Sequence, residues 1–502
     1  MPSISKTFLD FKYRTYKERQ REPLKYQGEI LQEICQQLTF TKYASDLGLI
    51  GDISPQEYKA CMPLSRYADI AEHIYEMKGG TRDVLQKDKI RYYGESSGTT
   101  GRSKTIPLSK KYVRDGIIKG SVYSAAIINH YYREATDGHT IILPGSLRQQ
   151  SDYFVGDVSA VMADHIPFLL KGRSALRTDL EHKGSWEQKL EAIWQHAISS
   201  RITGMTGLPT WNLKMLEHFA RTKHPEDFHN FVKDISFFIH GGINIAPYRE
   251  RIRQITGNDD LIFINVYNAT EGFFACQDDP DDDSMSLVID AGVYYEFVEV
   301  SDIDSATPQF KSLAEVETGK NYVLVISNTS GLYRYVMEDI ITFTKVHPFK
   351  IKIQGRTSGF LNAFGEEVME ENCHQVVMKL NQELDQSITE FTVAPVHQYQ
   401  QTDGHLGHHL WLLECNTDQP ANTEMMSHKI DALLHELNHD YAEKRKHNYV
   451  MTRPEVRLVP HGTFHRYLTN RSKVSVQSKV ARISQTTALI EQIIKHKTAI
   501  KA

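Results

Sequence analysis

Cysteine and long apolar runs are scarce in this sequence. Its five cysteines are odd in number, lie far apart and include no CxxC pair, so they predict no disulfide framework and favour a reducing compartment. No run of about 20 apolar residues is present to cross a bilayer. The N-terminal residues also lack the apolar core of a signal peptide. We therefore expect a cytoplasmic protein without a membrane partner.

Positive charge is not in excess either. The chain has 58 Lys and Arg against 63 Asp and Glu, which gives a formal net charge of −5. Without a positive field, binding to nucleic acid is not expected, and small-molecule substrates are favoured. At 502 residues, the chain is too long for one hydrophobic core, so at least two domains are expected. The oligomeric state cannot be inferred from the composition.

The order of apolar patterns predicts an α/β fold with mixed sheets, because short strand-like runs alternate with helical segments. A strand that runs into a glycine-rich turn at Gly355 and Arg356 indicates a domain boundary. We expect an N-terminal domain over residues 1–351 and a smaller α+β domain over 352–502. The clearest strand predictions in the first domain are residues 140–143, 237–240, 261–267 and 322–327.

A glycine-, serine- and threonine-rich turn lies in residues 91–109, RYYGESSGTTGRSKTIPLS, between two strand-like runs. The pattern predicts a β-hairpin whose turn can approach an anion closely and surround it with hydroxyl and N–H groups. A plain surface turn is the simplest alternative. A Walker A loop is excluded, because it needs a glycine directly before the lysine and a helix after it.

The same region formally satisfies an esterase pattern, since Gly94 to Gly98 match GxSxG and His240 precedes two glycines. In esterases of that fold, however, the HGG segment comes before the serine, and a helix follows the serine. Here the order is reversed, and Pro107 lies in an extended run. We therefore do not expect a serine hydrolase.

Residues 96–104, SSGTTGRSK, resemble the phosphate-binding motif of adenylate-forming enzymes. Within that superfamily, further segments resemble the acyl acid amido synthetases first met as plant auxin-responsive proteins, together with their bacterial relatives. These segments are FFIHGG at 237–242, YNATEGFF at 267–274, GLYRYVMED at 331–339, GR at 355–356 and GEEV at 365–368. The resemblance implies an acyl-adenylate-forming fold, with a large N-terminal domain of several subdomains and a small mobile C-terminal domain.

The resemblance also implies roles for individual residues. Glu271 would hold Mg²⁺, for which a hard carboxylate oxygen is a suitable ligand. Asp339 would accept the ribose hydroxyls of ATP, and Arg356 would reach the ribose or the phosphates. The family usually has glycine where this chain has Glu338. The remaining expected ATP contacts are Ser96, Ser97, Gly98, Thr99, Thr100, Gly101, Gly241, Gly242, Tyr267, Asn268 and Thr270.

Two lysines complete the expected catalytic set. Lys104 closes the phosphate segment, and Lys479 lies in QSKVAR, which resembles a QxKxPR signature with Ala481 in place of proline. The Lys479 ammonium would offset charge that develops at the α-phosphate. The implied reaction uses Mg·ATP to activate a carboxylic acid as an acyl-adenylate and then transfers the acyl group to an amine, such as an amino acid. An acyl-CoA synthetase and a nucleotide-binding regulator without catalysis are the alternatives.

Two metal-like patterns are not expected to bind metal. His435 and His439 form an HExxH match, but on a single helix both would point away from the apolar face. The acidic run 278–283 lacks the spacing and the glycine of a calcium-binding loop, and we expect it to be solvated.

Overall fold

The computed structural model describes residues 4–96, 104–143, 145, 147–172, 186–243, 245–356, 359–384, 388–398, 406–415, 422–469 and 480–495. The chain forms two compact units. The first comprises Met1–Ser96, Lys104–Gly242 and Ile252–Thr357, and the second comprises Ser97–Ser103, Ile243–Arg251 and Ser358–Ala502. The division into domains 1–351 and 352–502 stays a prediction. Within the described ranges, no helix is both long and apolar enough to cross a membrane.

Helices begin the first unit, as the apolar spacing predicts. The apolar residues of the second helix recur at intervals of three and four, and they are buried from Ile30 to Leu38. The fourth helix begins at a capping box formed by Ser54 and Glu57, which satisfies backbone N–H groups that the helix cannot. The five N-terminal helices are α1 (Ile4–Arg19), α2 (Pro23–Leu38), α3 (Lys42–Asp46), α4 (Pro55–Cys61) and α5 (Tyr67–Lys78).

A small mixed sheet follows these helices. Its strands are β1 (Tyr92–Ser96), β2 (Lys104–Leu108), β4 (Leu147–Gln150) and β5 (Tyr153–Gly156), in the spatial order β2-β1-β5-β4. Strands β1 and β2 are antiparallel partners, with Ser96 opposite Lys104. The β-hairpin predicted for residues 91–109 is therefore confirmed, and Pro107 lies within β2.

The largest sheet has ten strands, in the order β11-β12-β13-β14-β10-β9-β8-β7-β6-β3. Strands β3, β6, β7 and β8 pair in parallel, and the rest of the sheet is antiparallel. The strands are β3 (His139–Ile142), β6 (Ile202–Gly207), β7 (Phe237–His240), β8 (Ile262–Ala269), β9 (Gly272–Cys276), β10 (Met285–Leu287), β11 (Val293–Glu299), β12 (Asn321–Asn328), β13 (Tyr335–Val346) and β14 (Phe349–Arg356).

Further helices lie between residues 110 and 256 of the chain. They are α6 (Lys110–Tyr112), a π-helical turn (Val113–Ile118), α7 (Lys119–Tyr131), α8 (Val158–Asp164), α9 (Phe168–Lys171), α10 (Trp186–Ala197), α11 (Pro209–Thr222), α12 (Pro225–Val232) and α13 (Ala246–Thr256). The main hydrophobic cluster joins α2, α4 and α5 to the hairpin and to strands β11, β12 and β13. The hairpin is thus part of the core of the first unit.

The second unit is smaller and of α+β type. Its three-stranded sheet, β17-β18-β19, combines an antiparallel and a parallel pair. Its elements are β15 (Phe360–Leu361), β16 (Val368–Met369), α14 (Glu370–Glu383), β17 (Ile388–His397), β18 (Gly407–Cys415), α15 (Thr423–Leu437), α16 (His439–Arg445), β19 (Glu455–Pro460), α17 (Thr463–Thr469) and α18 (Ala488–Ile494).

The HExxH pattern does not lie on one helix. Helix α15 ends at Leu437, and Asn438 has an extended backbone with a side chain that accepts the Tyr441 N–H to begin α16. His435 and His439 are both exposed. The expectation that both histidines face solvent is confirmed. They lie on two different helices, however, because α15 ends before His439.

The expectation for the acidic run is partly wrong. Asp281 and Asp283 are exposed, but Asp278 is buried and lies 3.2 Å from the Lys350 ammonium. The same lysine lies 2.9 Å from Asp282. Because Lys350 is itself buried, the two carboxylates compensate a charge that would otherwise be costly inside the protein. A pairing across 70 residues of sequence leaves no local signal.

Candidate functional site

Glu271 lies in the two-residue turn between β8 and β9, where Ala269 pairs with Gly272. The turn is fixed through its backbone, because the carbonyl of Glu271 accepts hydrogen bonds from the Tyr112 hydroxyl at 2.7 Å and from the Asn328 amide at 3.2 Å. A Cβ at Gly272 would lie 2.3 Å from the Tyr112 hydroxyl oxygen, so only glycine fits there. The Glu271 side chain is buried at the strand end.

The β1–β2 hairpin contacts this turn directly. The Thr270 hydroxyl donates to the backbone carbonyl of Glu95 at 3.3 Å. A Cβ at Gly94 would lie 2.4 Å from the Thr270 methyl carbon, so the strand approaches the turn as closely as glycine allows. At the other side of the hairpin, Lys104 begins β2 and lies close enough to affect the Glu271 carboxylate electrostatically. Two of the three predicted catalytic residues, Glu271 and Lys104, therefore interact electrostatically.

Asp339 is held by two side chains from different strands. Arg356, its direct partner on β14, donates Nε–H to one carboxylate oxygen at 2.7 Å. The Tyr267 hydroxyl of β8 donates to the other oxygen. Arg356 also donates to the backbone carbonyl of Met337 at 3.3 Å. Each Asp339 oxygen keeps lone pairs for further donors, since a carboxylate can accept about four hydrogen bonds.

Glu338 occupies a backbone conformation that favours glycine. Its φ of 63° is in the left-handed region, where a side chain costs about 1–2 kcal/mol. The pairing between β13 and β14 shifts register beside it, between Ile340 and Ile341. Its carboxylate lies 3.6 Å from the Arg66 guanidinium. Within β13, the backbone at Glu338 therefore has the left-handed conformation that glycine would adopt more easily.

Substitutions at Glu338 test whether this backbone conformation matters. Glu338→Val is expected to lower stability by about 1–2 kcal/mol, because a β-branched side chain fits the left-handed region poorly. The free energy of unfolding of Glu338→Gly should stay within about 1 kcal/mol of the wild-type value, since the relief of backbone strain is offset by a more flexible unfolded chain. Thermal denaturation measures both, with Glu338→Gln as the control for lost charge. Equal midpoints for the Val and Gln variants would contradict the argument.

The two glycines after β7 allow a close backbone approach. A Cβ at Gly241 would lie 2.5 Å from the carbonyl oxygen of Val266 on the neighbouring strand β8. Gly242 has a φ of 80°, which other residues rarely adopt. The Asn268 amide donates towards the sulfur of Met162 at 3.6 Å. These residues lie at the same end of the parallel strands as Glu271, where ligands of open α/β sheets bind.

Burial determines the electrostatics of Glu271. Removal from water raises the pKa of its carboxyl, while Lys104 and Arg356 lower it and Asp339 raises it. The net result is a pKa above the ordinary glutamate value. Three other predicted site residues therefore act on the Glu271 carboxyl, and the buried carboxylate would gain from a cation.

The remaining predicted residues cannot be placed. Ser97, Gly98, Thr99, Thr100, Gly101 and Lys479 lie outside the described residues. Ser96 is described as the last residue of β1, without its side chain. Their roles stay predictions from the sequence.

Two residues near the site were not predicted. Tyr112 anchors the Glu271 turn through its hydroxyl. Arg148 of β4 reaches the Glu95 carboxylate at 2.5 Å. Both contacts join segments far apart in the sequence, and a single tyrosine or arginine carries no pattern that indicates such a role. Only the helix-start pattern Ser109-Lys-Lys-Tyr112, in which the serine caps the turn, gives a local signal.

Family models match most of the chain. The GH3 family N-terminal domain matches residues 12–182, the central domain matches 286–356 and the C-terminal domain matches 371–488. A jasmonoyl–L-amino acid synthetase of Nicotiana attenuata is 20% identical, with 88% of each chain covered. An indole-3-acetic acid-amido synthetase of Arabidopsis thaliana is 21% identical, over 93% of this chain and 90% of the relative.

Solved structures share the fold. An acyl acid amido synthetase in complex with 2,4-DB has a TM-score of 0.63 at 16% identity, with 99% of this chain and 98% of the neighbour covered. A 2-hydroxyisobutyryl-CoA ligase has a TM-score of 0.57 at 13% identity, with 95% and 92% covered. The predicted α/β fold with mixed sheets is confirmed. Since the three domain models follow one another in order and agree with the motifs, this chain belongs to the GH3 family.

Proposed function

We propose that this protein is a ligase that uses ATP to activate a carboxylic acid and then joins the acid to an amine. In the first step, a carboxylate oxygen attacks the α-phosphorus of ATP, and the bond to pyrophosphate breaks. In the second step, the amine nitrogen attacks the acyl carbon, loses a proton, and AMP leaves. The products are an amide, AMP and pyrophosphate. Positioning and charge stabilisation supply the catalysis, so no covalent enzyme intermediate is needed.

The observation that carries the proposal is that Lys104 and Asp339 both act electrostatically on the buried Glu271 carboxyl within the first unit. Lys104 and Glu271 act on each other electrostatically beside the hairpin. Asp339 offers two carboxylate oxygens that Tyr267 and Arg356 hold in place. A diol such as ribose is bound well by such a carboxylate, because each oxygen can accept one more hydroxyl. Within this proposal, Arg356 positions Asp339 and neutralises part of its charge.

Glu271 has the properties of a Mg²⁺ ligand. It is a buried oxygen donor whose pKa is raised by burial, and a divalent cation would favour its charged form. Mg²⁺ binds through one or two carboxylates together with phosphate oxygens, and when bound it would neutralise charge on the triphosphate. Lys104 would add a second positive group on the neighbouring strand. The hydroxyl-rich segment after Ser96 is proposed to bind the β- and γ-phosphates, and Lys479 to stabilise charge at the α-phosphate.

An amino acid is the proposed acceptor, because the curated relatives are named as amino acid conjugating or amido synthetases. The fold alone does not separate an amine acceptor from a thiol, since a structural neighbour is a CoA ligase in complex with 2-HIB-AMP and CoA. The acyl acid is left open. The relatives' names identify jasmonic acid and indole-3-acetic acid as reasonable first members of a substrate panel.

Pyrophosphate release tests the proposal. The purified protein is incubated with Mg·ATP and a panel of carboxylic acids, first alone and then with amino acids or coenzyme A, and products are identified by mass spectrometry. We expect release only with a suitable acid, and an amide only when amino acids are present. A thioester formed with coenzyme A, and no amide, would replace the proposed acceptor. If no acid supports release above the acid-free control, adenylation itself is rejected.

We also propose a cytoplasmic location and only small-molecule partners, namely the carboxylic acid and the amine. The five cysteines are all unpaired, which agrees with a reducing compartment. No nucleic-acid or membrane partner is proposed, because the net charge is −5.

A further inference from the structure

The β1–β2 hairpin has two faces with different surroundings. Side chains alternate along each strand, and directly opposite residues share a face. Gly94 faces the Thr270 side chain, on the side of Glu271. Glu95 lies opposite Thr105, so these two side chains share the other face, which we call the rear face. The rear face points away from the proposed nucleotide contacts.

Both ends of helix α5 reach Thr105 on the rear face. The Lys78 ammonium, from the last residue of α5, donates to the Thr105 hydroxyl oxygen at 2.9 Å. The Tyr67 hydroxyl, from the first residue, lies 3.3 Å from the same oxygen and accepts the Thr105 N–H at 3.1 Å. One residue of β2, adjacent to Lys104, is therefore held through both its side chain and its backbone.

Lys78 is partly buried beside an aromatic ring. Its ammonium lies 5.2 Å from the ring centroid of Tyr93, a distance at which a cation is attracted to the face of the ring. The nearby Glu95 carboxylate pairs with Arg148 at 2.5 Å and affects Lys78 only electrostatically. Burial lowers the pKa of Lys78, and Glu95 raises it in part. A charged donor gives Thr105 a stronger hydrogen bond than a neutral donor would.

We propose that Lys78 is a positioning residue for ATP, which acts through Thr105 to fix the hairpin so that Lys104 faces the triphosphate beside Glu271. The Glu95–Arg148 pair fixes the neighbouring strand of the hairpin. This inference rests on the proposed function, because it assigns the hairpin to the β- and γ-phosphates. Lys78 lies outside the sequence motifs described above, because α5 precedes all of them in the chain.

The comparison of ATP with AMP tests this inference. Lys78→Met removes the ammonium but keeps an apolar stem against Tyr93, and Thr105→Val removes the hydroxyl without changing the shape of the side chain. We expect each variant to bind Mg·ATP about tenfold more weakly in calorimetry, since a hydrogen bond to a charged group contributes about this much. AMP affinity should stay within about twofold of the wild type, because AMP lacks the phosphates that the hairpin serves.

A double-mutant cycle tests the coupling between the two residues. Because Lys78 acts through Thr105, the double variant should bind Mg·ATP no more than about twofold more weakly than Lys78→Met alone. The matched control is Lys87→Met, since Lys87 also lies over an aromatic ring, 5.4 Å from the Phe40 centroid, but donates to the Gln36 carbonyl on α2. It should bind both nucleotides as the wild type does. Should Lys78→Met fail to fold, the ATP-to-AMP ratio of Thr105→Val decides the question.

Three results would overturn the inference: equal weakening of ATP and AMP, unchanged ATP affinity, or additive losses in the double variant. Equal weakening would mean that Lys78 only supports the fold of the first unit. Failure of the proposed function is seen separately, because the wild-type protein would then release no pyrophosphate with any acid, before any variant is compared.

Discussion

Glu271→Gln is expected to reduce acid-dependent pyrophosphate release by about 100- to 1,000-fold, the loss typical when a group that stabilises transition-state charge is removed. The amide has nearly the same shape and can still accept a hydrogen bond, but it cannot supply the negative charge that holds a divalent cation. Initial rates at saturating ATP and acid measure the effect. The Tyr112 and Asn328 contacts go to the backbone carbonyl of residue 271 and stay in place.

The stability of the same variant separates a chemical role from a structural one. Burial raises the pKa of Glu271, so its ionised form is less favourable in the folded than in the unfolded protein. Glu271→Gln should therefore be at least as stable as the wild type at neutral pH. The matched control is Glu299→Gln, a partly exposed carboxylate that pairs with Lys311 at 2.9 Å. A Glu271→Gln protein that keeps full activity would reject the metal role.

Loss of Glu366 is expected to give the largest change in stability in the second unit. Its carboxylate is fully buried, lies 2.8 Å from His409 Nε2 and accepts the Phe364 N–H at 2.6 Å. Glu366→Ala should destabilise this unit by about 3 kcal/mol, because it leaves a buried histidine without its partner. Hydrogen exchange of β17 and β18 measures the loss, with protection expected to fall roughly a hundredfold.

The pH dependence of this contact follows from the direction of the shift. Burial alone would raise the pKa of Glu366, but the hydrogen bond from His409 and those from the backbone hold it below the usual value. Because the folded protein favours the ionised carboxylate, Glu366 stabilises the fold at pH values above the ordinary glutamate pKa. This stabilisation is lost as the pH falls through the lowered pKa of the folded protein. Glu366→Gln should lack this acid-dependent loss of protection.

The adjacent histidine provides the control. His408 lies 3.2 Å from Glu455, whose side chain is 41% exposed, so solvent screens the pair and Glu455→Gln should cost less than about 1 kcal/mol. If the Glu366 and Glu455 variants lose the same protection, burial of the first pair has no special effect.

Local patterns predicted the parts of this protein that depend on short stretches of chain. The hairpin of residues 91–109 and strand β7 follow from turn residues and apolar runs, and the structure places both as expected. The segment YNATEGFF identified Glu271 from the sequence, and the structure has this residue in the turn between β8 and β9. Such features depend on residues that are close together in the sequence, so one sequence is enough to predict them.

Features that depend on distant residues could not be predicted. Lys78 and Thr105 meet because α5 packs against the hairpin, and nothing near either residue indicates the contact. Asp278 was expected in a solvated loop, yet it is buried and forms an ion pair with Lys350. Glu338 shows a third kind of limit, since its residue type argues against the left-handed backbone conformation that it adopts within β13. Tertiary contacts override local preference in all three places.

Tyr112 and Gly272 have a consequence for how this site can change in evolution. The tyrosine hydroxyl lies where a Cβ of residue 272 would be, only 2.3 Å away. A side chain at position 272 would therefore collide with the Tyr112 hydroxyl unless a smaller residue replaced Tyr112 at the same time. The two positions should vary together, although they are 160 positions apart in the sequence, and Gly272→Ala should be tolerated only in a Tyr112→Phe or smaller background.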